Sequence, residues 1–150
     1  MSTRTGLAPT SKIELMVEQA IDEDISSLSG VPSWTLVFAN KVLEKTGKEN
    51  LQEVWPNFEL YMHGGINFEP YRKSFQKLFP KGINYLETYN ASEGFFGLQD
   101  QPNKKDMLLM LDYGVYYEFL PLENEADKNA KTLSLSEIEL HTDYALIIST

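Results

Sequence analysis

The sequence contains no cysteine. Disulfides and thiolate metal sites are thereby excluded, and the composition suits a reducing compartment. Histidine occurs only at His63 and His141, and two separated histidines do not make a zinc site. Positive charge is scarce, with 13 Lys+Arg against 22 Asp+Glu and a formal net charge of -9. Lysines come in small groups such as Lys104-Lys105, which Asp100 and Asp106 flank. No basic face is therefore expected to attract nucleic acid or an anionic membrane. Small phosphates stay open, because backbone N–H groups hold them without net positive charge. No apolar run reaches the roughly 18 residues that a spanning helix takes. The opening MSTRTGLAPTS also lacks the apolar segment of a signal peptide, so the cytoplasm is the default location. Residues 1–11 read as a disordered arm or an expression remnant. Internal repeats are absent too, and only the polar stretch Glu123 to Lys131 approaches low complexity.

What is present is enough apolar material for one core: 42% of 150 residues are hydrophobic, which reads as one domain over residues 12–150. Ile13, Met16, Val17, Ala20 and Ile21 recur at helical spacing, and Asp24 to Ser29 alternates as a strand edge does. Gly30-Val31-Pro32-Ser33 breaks the chain and offers Ser33 as the cap of a helix that runs to Gly47. A short helical piece around Leu51 to Val54 precedes an apolar strand from Phe58 to Met62, ending at His63-Gly64-Gly65. Tyr71, Phe75, Leu78 and Phe79 then predict a helix over 70–79, stopped by Pro80 and Gly82. A strand from Ile83 to Tyr89 follows. Strand, helix and strand in so short a span form a βαβ unit with parallel strands. The last third changes character: Met107 to Leu111, Val115 to Leu120 and Tyr144 to Ser149 are β-branched or aromatic runs without long helices between them, so antiparallel pairing is expected. Asp112-Tyr113-Gly114 is read as a hairpin turn. The expected fold class is therefore α/β: a mixed sheet with a parallel βαβ core flanked by helices, and an antiparallel C-terminal hairpin region. The apolar YALIIST at the C-terminus, with nothing after it to cap it, has the pattern of an excised segment. The strand edges and apolar faces of such a segment favour self-association.

Ligands of open parallel sheets bind beyond the carboxyl ends of the strands. Three segments are expected there: Ser29 to Pro32, His63-Gly64-Gly65, and Asn90-Ala91-Ser92-Glu93-Gly94 after Tyr89. Gly64 and Gly65 would let a flat ligand lie against the backbone, although a glycine pair is also an ordinary tight turn. His63, a single histidine at a strand end, reads more readily as a hydrogen-bonded structural residue than as a ligand or base. Tyr89, Ser92 and Glu93 offer an aromatic face, a hydroxyl and a hard anionic oxygen, which nucleotide chemistry uses for a base, a phosphate and Mg²⁺. Their plainer reading is a core ring, a local capper and a solvated carboxylate. The aromatics from Tyr113 through Phe119, with Phe95-Phe96, are the filling of a half-buried sheet. The acidic stretch Glu118 to Asp127 is read as a solvated loop.

YNASEGFFG resembles the second nucleotide-binding motif of the auxin-responsive GH-three family, the acyl-acid amido synthetases. SGVPSW, LQEVWPNFELYMHGG and YALIIST resemble further family segments in the same order, so the likeness covers residues 12–150. It implies a partial adenylate-forming domain, with ATP and Mg²⁺ as cofactors and a small carboxylic acid and an amine such as an amino acid as reactants. By that resemblance Tyr89, Asn90, Ala91 and Ser92 line the nucleotide, Tyr89 stacking on adenine and Ser92 meeting a phosphate. Glu93 holds Mg²⁺, and Gly64 and Gly65 border the adenine and acyl pocket. An acid–thiol ligase on the same scaffold, or a non-catalytic binding module, are the other readings. The family's upstream phosphate loop, its later Arg-Tyr-x-x-Gly-Asp segment and its mobile C-terminal domain find no counterpart here. The chain alone is accordingly expected to turn over little or not at all.

Overall fold

A computed structural model describes residues 12–101, 104–127 and 129–149; the arm read over 1–11 lies outside them. Two compact units emerge. The first runs to Thr88 and takes in Gln99–Met107, and the second comprises Tyr89–Leu98 and the chain from Leu108 onward. The sequence, read as one domain over 12–150, carries no linker-like stretch at this division, because it falls inside a strand.

In the first unit, α1 (Lys12–Ala20) leads to β1 (Ser27–Gly30) and α2 (Pro32–Thr46). Val31, not the expected Ser33, occupies the N-cap and makes no side-chain capping bond, while Pro32 opens the helix. Proline is already set at a helical φ and lacks the N–H that a cap would satisfy, so the helix can start there. Gly47 closes α2 at φ 66, its N–H donating to the Leu43 carbonyl, as the left-handed helix stop requires. A 3₁₀ turn (Leu51–Glu53) is capped by Asn50, whose side chain accepts from the Glu53 N–H. β2 (Leu60–Gly64) starts later than expected and incorporates His63 and Gly64. A 3₁₀ turn (Glu69–Tyr71) and α3 (Arg72–Leu78) then return the chain to β3 (Asn84–Ala91).

β1, β2 and β3 pair in parallel, with Gly30 opposite His63, His63 opposite Glu87 and Gly64 opposite Thr88. The βαβ unit is thus present. Its core is aromatic. Trp55, Tyr61 and Phe75 are fully buried in one cluster with Phe38, Ala39 and Val42 of α2. Tyr61 stacks on Phe75 at 4.5 Å and Phe58 on Phe79 at 4.5 Å. Trp55 donates its indole N–H to the Ala20 carbonyl at 2.9 Å, which satisfies the one polar atom of a buried ring.

The second unit contains β4 (Gly94–Leu98), β5 (Leu108–Leu109), β6 (Tyr116–Pro121), a 3₁₀ turn (Leu122–Asn124) and β7 (Tyr144–Ser149). The five-stranded sheet runs in the order β1-β2-β3-β4-β5, and β6 and β7 form a two-stranded sheet. Both β4–β5 and β6–β7 are antiparallel. The sheet is therefore mixed and flanked by helices, with a separate antiparallel pair, as the sequence reading expected. Phe96, Tyr117 and Phe119 are buried together, with Leu109, Leu146 and Ile148 packed against them. Here too the aromatics fill the sheet, although Tyr113 and Tyr116 are exposed.

Three local expectations are corrected. Asp112-Tyr113-Gly114 is a turn, with Gly114 at φ 76, but β5 pairs with β4 and β6 with β7, so it links two sheets and closes no hairpin. The long strand expected over Met107 to Leu111 shrinks to two residues. The run after Tyr89 is no loop either: β3 continues to Ala91, and Ser92-Glu93 are the turn into β4. A two-residue connection between neighbouring strands makes an antiparallel hairpin.

Candidate functional site

In the first unit, the carboxyl ends of the parallel strands are held by side chains of the core. The Tyr61 hydroxyl donates to the Gly30 carbonyl at 2.7 Å and lies 3.1 Å from Thr35 Oγ1. Thr35 Oγ1 itself donates to the Val31 carbonyl. The end of β1 and the start of α2 are thereby tied to β2. Burial pushes the Tyr61 phenol up to about 12, so this bond stays protonated across ordinary pH.

Gly64 has a tertiary reason to be glycine. A Cβ there would lie 2.3 Å from the Thr88 carbonyl oxygen and 2.8 Å from Thr88 Oγ1, and the Thr88 hydroxyl donates to the His63 carbonyl. The missing side chain is thus used by the neighbouring strand. Gly65 takes φ 79 and would set a Cβ 3.5 Å from Val31 Cγ2. It is exposed, and only its left-handed backbone favours glycine.

His63 is 4% exposed. Its ring lies on Phe68 at 4.2 Å and 19°, and its Nδ1 has no hydrogen-bond partner. Burial, aided by the nearby Arg72 charge, lowers its pKa to about 4, so the imidazole is neutral at pH 7. Beside it opens a cleft of about 550 Å³, lined also by Asn67, Glu69, Arg72, Glu87 and Lys105. Arg72 spans it: the guanidinium stands 5.0 Å from the Phe68 ring and 5.7 Å from Tyr85. It donates to both Glu69 oxygens, at 2.9 and 3.2 Å. This pairing holds the Glu69 carboxyl below its usual range. Gln99 fixes the other wall. Its Oε1 accepts from the Glu87 N–H, and its Nε2 donates to the carbonyls of Gln101 and Lys104. The cleft is a polar, internally paired groove. Sequence reading did not single out Glu69 or Arg72, although their spacing suits a helical ion pair.

The remaining sequence-selected residues lie in the second unit. Tyr89, Asn90 and Ala91 end β3, and Ser92 and Glu93 make the turn; all five are exposed. The Tyr89 and Phe96 rings meet in a T-shaped contact at 5.2 Å, and Tyr89 is 44% exposed. Glu93 stands on a tight turn, and its backbone is fixed by the flanking strands. His141 is exposed at φ 64. Among the described residues no three His, Cys, Asp or Glu come together as a metal cluster, and no helix is long and apolar enough to cross a membrane.

The register of β2 and β3 sets Gly64 opposite Thr88, the residue before Tyr89 in the chain.

No curated protein matches the chain. Among solved structures, the crystal structure of CmiS6 is similar, at 18% identity and a TM-score of 0.44, over 75% of this chain and 27% of that chain. The chain thus spans about a quarter of the length of that relative. Residues 9–83 match the GH3 family N-terminal domain, and residues 108–150 match the GH3 family central domain. The first match falls within the span of the first unit and the second within that of the second. YNASEGFFG lies between the two matched stretches. With one family domain matched over half of its length and the next following in order, this chain belongs to the GH3 family.

Proposed function

We propose that this chain is part of a ligase that adenylates a carboxylic acid with ATP and passes the acyl group to an amine such as an amino acid. The observation that carries the reading is the ordered succession of N-terminal and central GH3 domains, with a tyrosine-to-glutamate segment between them. In the reaction, a substrate carboxylate oxygen bonds to the α-phosphorus as pyrophosphate leaves. The amine then attacks the acyl carbon and AMP departs. Tyr89 offers its exposed ring to adenine, and the Ser92 hydroxyl donates to a phosphate oxygen. Asn90 and Ala91 line the nucleotide by their place in the strand, and Gly64 and Gly65 border the base and the acid.

Glu93 supplies one exposed carboxylate on a constrained turn. That suits Mg²⁺, which commonly takes one or two carboxylates with the rest of its shell from water and substrate phosphates. Bound there, the ion would neutralise charge at phosphorus. A carboxylate of this kind acts mostly on the transition state, so Glu93→Ala in the longer protein should lower adenylation about 100-fold or more with the fold intact. Pyrophosphate release measured against ATP and a panel of acids checks this; near-normal rates would remove Glu93 from the metal. The same assay with an amino acid or with coenzyme A as acceptor separates the amido synthetase from an acid–thiol ligase. The chain by itself should release pyrophosphate at background rate.

A further inference from the structure

The cleft beside His63 holds more positive charge than its own carboxylates neutralise. Arg72, Lys104 and Lys105 line it against Glu69 and Glu87, a local excess of cations in a chain of net charge -9. Glu69 is already shared: it accepts two N–H bonds from Arg72 and lies 3.8 Å from the Lys105 ammonium. Lys104 has no ion-pair partner among the described residues. At about 550 Å³ the cleft falls in the range of roughly 300–1,000 Å³ that small-molecule sites occupy. Every lining residue belongs to the first unit, and none to the segment from Tyr89 to Glu93.

Arg72 is already oriented as a receptor. A guanidinium carries its N–H donors in a fixed planar fork. The Nε–H and one Nη2–H go to Glu69, and no described residue accepts from the others. Glu69 grips one edge of the fork, and the Phe68 and Tyr85 rings flank it at 5.0 and 5.7 Å, so little freedom is left to lose on binding. His63 supplies an independent sign. It lines the same cleft and is 4% exposed, and its Nδ1 is the one buried side-chain polar atom among the described residues without a partner. Buried polar groups are nearly always hydrogen-bonded, and an orphan at a cleft wall is where a bound group completes the network. Arg72 stands close enough to depress the imidazole pKa, so one ligand can meet both residues.

We infer that this cleft binds a small oxyanion, a carboxylate or phosphate group on a molecule of metabolite size, held by the free donors of Arg72 and completing the hydrogen bonding of His63. Carboxylate and phosphate oxygens both match paired N–H groups of one guanidinium. Lys104 and Lys105 add charge beside it, and Glu69 keeps the fork in place.

Titration of the chain at pH 7 with inorganic phosphate in one arm and succinate in another tests this by nitrogen NMR, in about 0.15 M chloride so that loose surface attraction is screened. The Arg72 Nε and His63 Nδ1 signals should move together and saturate with a Kd below about 1 mM. Saturation with phosphate alone assigns phosphate esters, and saturation with succinate alone assigns carboxylic acids; either supports the site. Arg72→Lys keeps the charge and loses the fork, so affinity should fall about tenfold or more. Lys105→Ala removes a side chain that is 89% exposed, on which folding does not depend, and should weaken binding about threefold. Lys77→Ala, exposed on α3 outside the cleft, should leave affinity unchanged. Equal losses from Lys77→Ala and Lys105→Ala overturn the proposal, since only general charge attraction then acts. Shifts that stay linear in both arms overturn it too. So does a longer protein that fails to respond where the chain responds, because another part of the polypeptide then fills the cleft.

Discussion

His63 shows how one buried ring can set the acid limit of a unit. Neutral imidazole stacks on Phe68 with Nδ1 unpartnered, and protonation would add a charge beside Arg72. The folded pKa of about 4 lies below the ordinary 6.5, so between these values the unfolded chain binds more protons. Stability is then full above about pH 6.5 and falls as pH drops toward 4, by up to about 3 kcal/mol. Urea unfolding at pH 7 and pH 5 checks the sign, and His63→Phe should flatten that part of the profile. Two glycines give a contrast at the same scale. Gly64→Ala forces a methyl group into the Thr88 carbonyl and should cost on the order of 3 kcal/mol. Gly47→Ala meets nothing within 4 Å and should cost only about 1 kcal/mol, from the positive φ alone. Chemical denaturation that ranks the two equally would contradict the packing assigned to Gly64.

Among elements, the turn between α3 and β3 depends on a residue far from it in sequence. Gln52, 8% exposed, accepts the Lys81 N–H at 2.9 Å and donates to the Gly82 carbonyl at 3.3 Å. Its amide holds the chain where β3 begins, and so contributes to the register that sets Gly64 opposite Thr88. Gln52→Ala leaves both backbone groups without their partner, and a loss of about 2 kcal/mol is expected. Faster exchange of the Lys81 amide would be its local signature. An unchanged Lys81 amide would show that solvent satisfies that turn. The hairpin β3–β4 raises a different point. Tyr89 to Ala91 lie on a strand and Ser92-Glu93 on its turn, so the segment proposed for the nucleotide is held by a ladder. Replacing Glu93 should therefore change chemistry without changing the fold.

At the scale of the molecule, each unit has its own buried cluster, and both tryptophans, Trp34 and Trp55, belong to the first. Tryptophan fluorescence then reports the first unit alone. Phe75→Ala should lower the fluorescence-detected stability by about 3 to 5 kcal/mol. Phe96→Ala should move that transition far less, while it speeds amide exchange in β6 and β7. Equal shifts from both substitutions would show that the units unfold as one. The division into units was not legible in the sequence, because it passes through β3 between Thr88 and Tyr89, where the run of strand-forming residues is continuous. A boundary without a linker leaves no mark in composition.

The sequence alone determined most of the helices and strands, and the family resemblance. Helical spacing in α1 and α3, the stop at Gly47 and the apolar runs of β6 and β7 are local properties of the chain, and the ordered GH3-like segments could be read as text. Only the tertiary structure decided which strands pair, that Asp112 to Gly114 joins two sheets, that Gly64 is reserved for Thr88, and that Arg72 sits over Phe68 and Tyr85. Periodicity reports which face of an element is apolar, whereas pairing and close approach depend on partners distant in sequence, which no local pattern specifies.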